Sequence, residues 1–407
     1  MPAMADRPPA EQAIGFDPDS HAIQDDPYPV YRALREREPW HRHPSGRFWA
    51  LSRYDDVVAA LRRPDLFSSR RSLDGAATDP AAAFPMIVIM DPPRHDELRS
   101  LMHRSFTPRQ VARLAPRIRA ITTELIDGFV ERGEADLFAE LAAPLPTTVI
   151  AELLGVPAAD RAMFKEKSTA VATSVSPGGR ENEATAALEL IEYLGHVFEE
   201  KRRHPGDDLM SALLAAEVDG RRLDPPELLG FAFLLLLAGN ETTTNLISNG
   251  ALLLDRSPDQ RARLLADRSL VARAVEEILR FESPVQGVER IVTRDLEWDG
   301  QRLGRGEKVF LLLGSANRDE RAFPAPESFD VGREPNRHLA FGLGTHFCLG
   351  ASLARLEARI AWEEMLDRLP DYRIAGGVER LRSGIFRGLL RVPIAFEPGP
   401  RLGTSAA

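Results

Sequence analysis

The residue with the clearest chemical potential is Cys348, the only cysteine in the 407-residue chain. It lies in the glycine-rich segment 341–350, and residues 349–368 have the periodicity of a helix. A cysteine at a helix N-terminus lies near unpaired N–H groups and the positive end of the helix dipole, which favour a thiolate. The glycines permit a tight turn and close approach of a flat ligand. These surroundings favour a chemical role over the small buried apolar residue that a lone cysteine usually is.

A second candidate is the acid and alcohol pair Glu241 and Thr242. They interrupt the stretch 225–256, which predicts one helix roughly 48 Å long whose first half is apolar on nearly every face and therefore buried. Gly239 also lies within it, where glycine costs about 1 kcal/mol relative to alanine and so needs a reason. Taken alone, this break is most simply a face that emerges into solvent, as most charged residues do.

Two charged pairs have helical spacing. Glu277 and Arg280 are three residues apart on a predicted helix over 269–281, and His95 and Arg99 are four apart. Each pair would share one helix face, where ion pairs are common and weak. Taken alone, neither pair indicates a function.

The segment 341–350 resembles the haem-binding loop of the cytochrome P-450 family, in which Phe, Gly and His precede the cysteine by seven, four and two residues and Gly follows it by two. The matching residues are Phe341, Gly344, His346 and Gly350. A dinucleotide-binding glycine loop is the competing interpretation, but the third glycine of that fingerprint falls on Phe347 and no strand–helix–strand context surrounds it.

The resemblance implies haem b (iron protoporphyrin IX), with the Cys348 thiolate as the axial iron ligand. It further implies that Glu277, Arg280 and Arg318 form a structural triad. Arginine and histidine donors suit the two anionic propionates of such a cofactor. The residues expected to bind the cofactor are Cys348, His95, Arg99, Arg290, His346, Phe341, Gly350, Ala238 and Gly239.

By the same resemblance, the protein is a monooxygenase that inserts one oxygen atom from O₂ into a small molecule by hydroxylation or epoxidation. Glu241 and Thr242 would be catalytic, relaying protons and hydrogen-bonding oxygen, and Gly239 would let the helix deform. By position, the substrate pocket draws on Met86, Ile87, Val88, Leu234, Leu235, Val285, Gln286, Val288, Ile385 and Phe386. Nearly all are apolar, so we expect a neutral, mostly apolar substrate such as a terpenoid, steroid, polyketide or fatty-acid derivative.

The resemblance also implies electrons from a ferredoxin and its reductase, because too few residues follow Cys348 for a flavin domain. An acidic ferredoxin would dock on basic residues around the cysteine side, for which the candidates are Arg104, Arg109, Arg113 and Arg337. A peroxide-using relative would not need Glu241 and Thr242. A haem-based sensor would need an output domain or a DNA-binding surface, and neither is evident.

The elements that must position these residues are mostly helical, with strands predicted near 288–293 and 308–313. No repeat or composition break divides the chain, so we expect a flexible N-terminus over 1–15 and one mainly α domain with small β-sheets over 16–400, the haem lying between the central helix and the helix after Cys348. The net charge of −9 argues against nucleic-acid and anionic-membrane partners. The absence of a signal or spanning segment and the single cysteine predict a cytoplasmic protein, which we expect to be monomeric.

Overall fold

The computed structural model of the protein describes residues 14–70, 73, 85–103, 106–174, 181–206, 208–218 and 220–403. Most of the predicted N-terminal segment and the predicted docking residue Arg104 lie outside the described residues. Ile14 and Phe16 are buried in one cluster with Tyr31 and Leu34. Residue 14 therefore already belongs to the packed domain.

Helices dominate the fold, as predicted. In the described part of the chain the α-helices are α1 His21–Asp25, α2 Tyr28–Arg37, α3 Tyr54–Leu61, α4 Arg94–His103, α5 Pro108–Ala112, α6 Ala115–Asp127, α7 Pro144–Leu153, α8 Arg161–Ser174, α9 Glu181–Arg203, α10 Leu209–Ala215, α11 Pro225–Arg256, α12 Pro258–Ala266, α13 Val271–Phe281, α14 Leu313–Ala316 and α15 Ala351–Arg368. Single 3-10 turns lie at Ile87–Ile89, Ala158–Asp160, Arg268–Leu270 and Gly344–His346, and a π-helical turn lies at Phe138–Ala142.

The strands are short. They are β1 Trp40–Arg42, β2 Trp49–Leu51, β3 Phe67–Ser68, β4 Glu134–Asp136, β5 Glu217–Val218, β6 Arg221–Arg222, β7 Val288–Val292, β8 Leu296–Trp298, β9 Gln301–Leu303, β10 Lys308–Leu311, β11 Arg373–Ile374, β12 Glu379–Arg380, β13 Leu389–Arg391 and β14 Pro393–Ala395. The largest sheet has the order β1-β2-β10-β7-β3, in which only β2 and β10 are parallel. A second sheet has the order β11-β14-β4, and the remaining strands form hairpins.

The central helix α11 has the predicted bounds, and its capping residues explain where it begins. The Glu227 N–H donates to the Asp224 carboxylate over 2.8 Å, and the Glu227 carboxylate accepts from the Asp224 N–H over 3.0 Å. This capping box satisfies two N–H groups that the first turn leaves unpaired. Pro225 and Pro226 fit the first turn because its N–H groups have no partner within the helix. Among the described helices, none combines the length and apolarity that crossing a membrane requires.

The same helix joins the two large apolar cores. Leu228 and Phe231, in its first half, pack in a core shared with α6, α7, α9 and α10. Leu252 and Leu254, in its second half, pack in a core shared with α13, α15 and β14. One helix buried in both cores confirms the predicted single, mainly α domain.

Candidate active site

A cavity of about 290 Å³ separates α11 from the segment 341–350 that contains Cys348. The described part of its wall also includes residues of α4, β7, α15 and the 3-10 turn Ile87–Ile89. The cavity therefore lies between the central helix and the helix after Cys348, where the sequence predicts the haem.

The loop that presents Cys348 is closed by its own backbone. The Cys348 N–H donates to the Phe341 carbonyl over 2.9 Å. Between them, Gly342 and Gly344 have φ values of 68° and 72°, a left-handed conformation that glycine adopts without steric cost. A Cβ at Gly344 would also lie 3.0 Å from the carbonyl oxygen of Leu61. Two glycines are thus required by the turn itself, as the sequence predicts.

The Cys348 thiol is half-buried beside the cavity, and its surroundings act on its pKa in opposite directions. Burial raises its pKa, although N–H groups of Gly350 and Ala351 and the charges of Arg99 and Arg355 act in the opposite direction. Burial therefore opposes the effect that the sequence predicts for the helix N-terminus. Coordination to a metal ion deprotonates a thiol outright, so iron bound at this sulfur would convert the thiol into a thiolate.

Two imidazoles, the buried His95 and the half-buried His346, meet at one side of the cavity. The rings of His95 and His346 are 4.3 Å apart, and His95 Nδ1 lies 2.8 Å from the Asp96 carboxylate. The Nε2 atoms of both histidines are buried without a hydrogen-bond partner in the described chain. Burial, and then the nearby charges of Arg290, His95 and Arg99, lower the pKa of His346 to about 3. Such unpartnered polar atoms are costly unless a ligand satisfies them.

Two arginines line the same side. Arg99 donates to the Phe347 carbonyl over 2.6 Å, and Arg290 donates to the Glu289 carbonyl over 2.8 Å. Burial lowers the pKa of Arg290 to about 10. Within the described residues, neither guanidinium forms an ion pair with a carboxylate. The structure thus brings together the four predicted propionate donors, and their unpaired charge fits a dianionic cofactor such as haem.

The opposite wall is the middle of α11. Ala238, Gly239 and Thr242 line the cavity as predicted, and the Thr242 hydroxyl donates to the Ala238 carbonyl over 2.7 Å. A Cβ at Gly239 would lie 2.8 Å from Ile150 Cδ1, so close packing against α7 already favours glycine here.

Glu241 does not line this cavity but faces a separate space of about 50 Å³. Its wall combines apolar residues with five polar side chains besides Glu241, namely Thr147, Ser168, Asn240, Thr244 and Asn245. Burial raises the pKa of Glu241 to about 7. Glu241 and Thr242 therefore face different spaces on α11, and Glu241 titrates near neutrality.

Six of the predicted pocket residues line the cavity, and four do not. The lining residues are Ile87, Val88, Leu234, Leu235, Val285 and Val288. Met86, Gln286, Ile385 and Phe386 do not line this cavity. Gln286 is buried with Nε2 donating to the Ser283 carbonyl over 2.7 Å. The backbone at 385–386 pairs with that at 285–286, and the Ile385 side chain is 46% exposed.

The structural triad also needs a correction. Glu277 and Arg280 are fully buried and joined by two hydrogen bonds of 2.8 Å, but their third member is Arg333 and not Arg318. Arg333 Nε lies 3.1 Å from both Glu277 carboxylate oxygens. Arg318 instead donates to the Phe281 carbonyl over 2.7 Å and stacks on its ring. Arg318 is held as a planar cation on aromatic faces, which sequence position alone does not reveal.

Sequence reasoning missed one acid in the cavity. Glu357 of α15 lines it, is 1% exposed and has a carboxylate oxygen without a hydrogen-bond partner in the described residues. Burial raises its pKa to about 8, so it is a neutral acid at pH 7. The signal was available, since Glu357 stands between Leu353 and Ile360 on the apolar face of α15.

Comparisons with known proteins identify the family to which the chain belongs. A family model described as cytochrome P450 matches residues 177–370. The chain is 44% identical over 382 residues to vitamin D(3) 25-hydroxylase of Pseudonocardia autotrophica, covering 91% of this chain and 94% of that protein. It is 41% identical to steroid C26-monooxygenase of Mycobacterium tuberculosis, covering 92% and 94%. The solved structure of CYP109E1 from Bacillus megaterium with testosterone matches with a TM-score of 0.85 and 37% identity, covering 91% and 99%.

These similarities extend over nine-tenths of the chain. They agree with the cavity, which lies beside the only cysteine and offers unpaired donors to a dianion. The family holds haem through a cysteine thiolate, and Cys348 is the only residue that can supply one here. The chain therefore belongs to the cytochrome P450 family of haem-thiolate monooxygenases.

Proposed function

We propose that the protein hydroxylates a neutral, mostly apolar molecule of the steroid class, using electrons from a ferredoxin. The observation that carries the substrate class is the lining of the cavity beside α11. Leu234, Leu235, Val285 and Val288 line it, with Phe231 one turn before Leu234. The described wall offers no ionisable side chain apart from the propionate donors, Cys348 and the neutral Glu357. An apolar wall of this kind binds by burying apolar surface and gives no partner to an ionised group.

The names of the relatives support the same class. They include a vitamin D(3) hydroxylase and a steroid monooxygenase, and CYP109E1 is solved with testosterone and with corticosterone. Other relatives are named for different substrates, such as cyclomarin C epoxidase of Salinispora arenicola. Family membership alone therefore does not imply a steroid substrate.

A ligand panel tests the substrate. We expect neutral steroids to shift the haem spectrum from low to high spin, with at least about tenfold tighter binding than their sulfated derivatives, because an ionised group has no partner in this wall. A macrolactone and a long-chain fatty acid serve as competing classes. Tighter binding of a charged derivative, or of either competing class, would overturn the proposal.

When bound, the haem supplies the oxygen-activating chemistry, in which thiolate donation favours O–O cleavage. The chain must then deliver protons into a pocket that excludes water. We assign this to Thr242 on the cavity side of α11 and to Glu241 on its other side. The space beside Glu241 supports a proton path along that face of the helix, since Asn240 and Asn245 line it and each has a buried side-chain atom without a partner in the described chain.

Glu241→Gln should reduce product formed per electron consumed by about 100-fold, the usual size of a lost general-acid contribution. The same change should stabilise the fold at pH 8. The folded-state pKa is about 7 against an ordinary 4.5, so wild type loses stability as pH rises through that interval. We expect the variant to gain on the order of 2 kcal/mol in unfolding free energy at pH 8 and nothing near pH 4.

Turnover with product analysis and denaturant titrations at both pH values measure these effects. The matched control is Glu192→Gln on α9, where the carboxylate is exposed and removed from the cavity. A variant that loses coupling without gaining stability at pH 8 would argue against a desolvated Glu241.

The electron donor is proposed from the surface around the Cys348 loop. Helix α5 packs against α15, and the end of α3 contacts the turn Gly344–His346. Arg109 and Arg337 are exposed here and, among the described residues, form no ion pair. Arg62, at the end of α3, adds a cation that the sequence prediction omitted. Unpaired arginines on the elements around the Cys348 loop favour an acidic partner despite the negative total charge.

Reversing two of these charges tests the docking face. Arg109→Glu with Arg337→Glu should raise the KM for ferredoxin about tenfold and weaken the salt dependence of turnover, since both charges steer encounter. Chemical reduction by dithionite should be unchanged. The control is Arg391→Glu, an exposed arginine on β13. Equal losses in the control and the double variant would place the docking face elsewhere.

A further inference from the structure

We propose that Glu276 and His338 are positioning residues that hold Arg355 over the ring of Phe341 and thereby set the reduction potential of the haem. This inference depends on the family assignment and is independent of the proposed substrate and electron donor. The four side chains come from three separate segments, α13, α15 and the stretch before Cys348, and they meet beside the cysteine loop.

Glu276 is the centre of the group. One of its carboxylate oxygens accepts from Arg355 Nε over 2.7 Å. The other accepts from Arg355 Nη2 over 2.9 Å and from His338 Nε2 over 3.1 Å. Burial acts to raise the pKa of Glu276, but these partners lower it to about 2. The carboxylate is therefore ionised at any working pH and neutralises Arg355.

The hydrogen bonds of His338 assign its tautomer. The Ala340 N–H donates to Nδ1 over 3.2 Å, so Nδ1 carries no proton. Nε2 must then carry the proton that is donated to Glu276. A neutral imidazole thus connects the carboxylate to the backbone immediately before Phe341, and fixes where that residue enters the loop.

Phe341 connects Arg355 to the cysteine, because it contacts both residues. Its carbonyl accepts the Cys348 N–H, and its ring lies under the Arg355 guanidinium with 4.4 Å between the carbon and the ring centroid. Two cations lie against the cysteine loop, Arg355 over the ring of Phe341 and Arg99 at the Phe347 carbonyl. Arg99 is already engaged at the cavity and donates to the Phe347 carbonyl. Of the two, only Arg355 forms an ion pair with a carboxylate in the described chain, and Glu276 thereby cancels the charge of Arg355.

The charges give opposite expectations for two neutral variants. Glu276→Gln leaves Arg355 without its counter-charge, which favours the form of the haem that holds one more electron and raises the potential. Arg355→Gln leaves the Glu276 carboxylate uncompensated and lowers the potential. We expect each to change the reduction equilibrium by about tenfold, which for a one-electron couple is 59 mV. The double variant restores neutrality and should return close to wild type.

Spectroelectrochemical titration of the holoenzyme measures this, counting only protein that shows the thiolate spectrum with carbon monoxide. Arg355→Lys, which keeps the charge, should remain closer to wild type than Arg355→Gln. Glu152→Gln is the matched control, because Glu152 accepts a similar two-point contact from Arg117 away from the cysteine loop. Shifts of the same sign in both neutral variants would indicate mere loosening and overturn the proposal, as would no shift. A shift equal to theirs in the control would do the same.

Discussion

Replacing Cys348 by alanine should remove the red-shifted Soret band of the reduced, carbon-monoxide-bound protein and lower monooxygenase turnover to below about a thousandth of wild type. No second cysteine exists in the chain to replace the iron ligand. A loss of this size is a modest part of the acceleration that enzymes achieve. The fold itself should persist, because a buried cysteine packs as a small apolar residue and alanine fills most of its volume.

The comparison needs three measurements on the same preparations: the absorption spectrum, haem content and circular dichroism. Thr345→Ala, in the same turn, is the control for disturbance of the loop and should retain the red-shifted band. If Cys348→Ala kept that band, the sulfur would not be the ligand and the assignment of the site would fail.

The features that could be predicted from the sequence are those determined within one segment. The turn of the cysteine loop depends on Gly342 and Gly344, and the start of α11 depends on Asp224 and Glu227, so nearby residues suffice to place them. The convergence of His95, Arg290 and His346 involves three distant segments. It was predicted only through the family resemblance, because spacing along the chain does not determine distance across a cavity.

The errors also have a physical cause. Arg318 and Arg333 lie on the same stretch after α14, and their charge makes either one a plausible partner for the buried Glu277. Arg318 instead packs between the rings of Tyr28 and Phe281, whose centroids lie 3.4 and 3.7 Å from its guanidinium carbon. Gln286 was expected in the pocket as a hydrogen-bonding group, but the backbone turn at Ser283 gave it a nearer partner. Tertiary contacts decided both cases.

Glu277→Gln should lower the free energy of unfolding by about 3–5 kcal/mol, the usual cost of removing one partner from a buried ion pair. Besides Arg280 and Arg333, the carboxylate accepts from Asn336 Nδ2 over 3.1 Å and from the Asp330 N–H over 3.0 Å. The variant leaves the buried Arg280 and the partly buried Arg333 guanidinium groups without their anion. Because total stability is commonly 5–15 kcal/mol, we expect poor recovery of haem-bound protein and a markedly lower denaturation midpoint.

A double-mutant cycle distinguishes Arg333 from Arg318 as the third member of this network. Glu277→Gln and Arg333→Met should be strongly non-additive, since the second change removes a charge that the first has left uncompensated. Glu277→Gln and Arg318→Met should add, because Arg318 contacts Phe281 and Glu327 instead. Denaturant unfolding of the three single variants, the two double variants and wild type gives both coupling energies. Strong coupling to Arg318 with none to Arg333 would contradict the network, and with it the anchor that Arg333 gives the chain shortly before the cysteine loop.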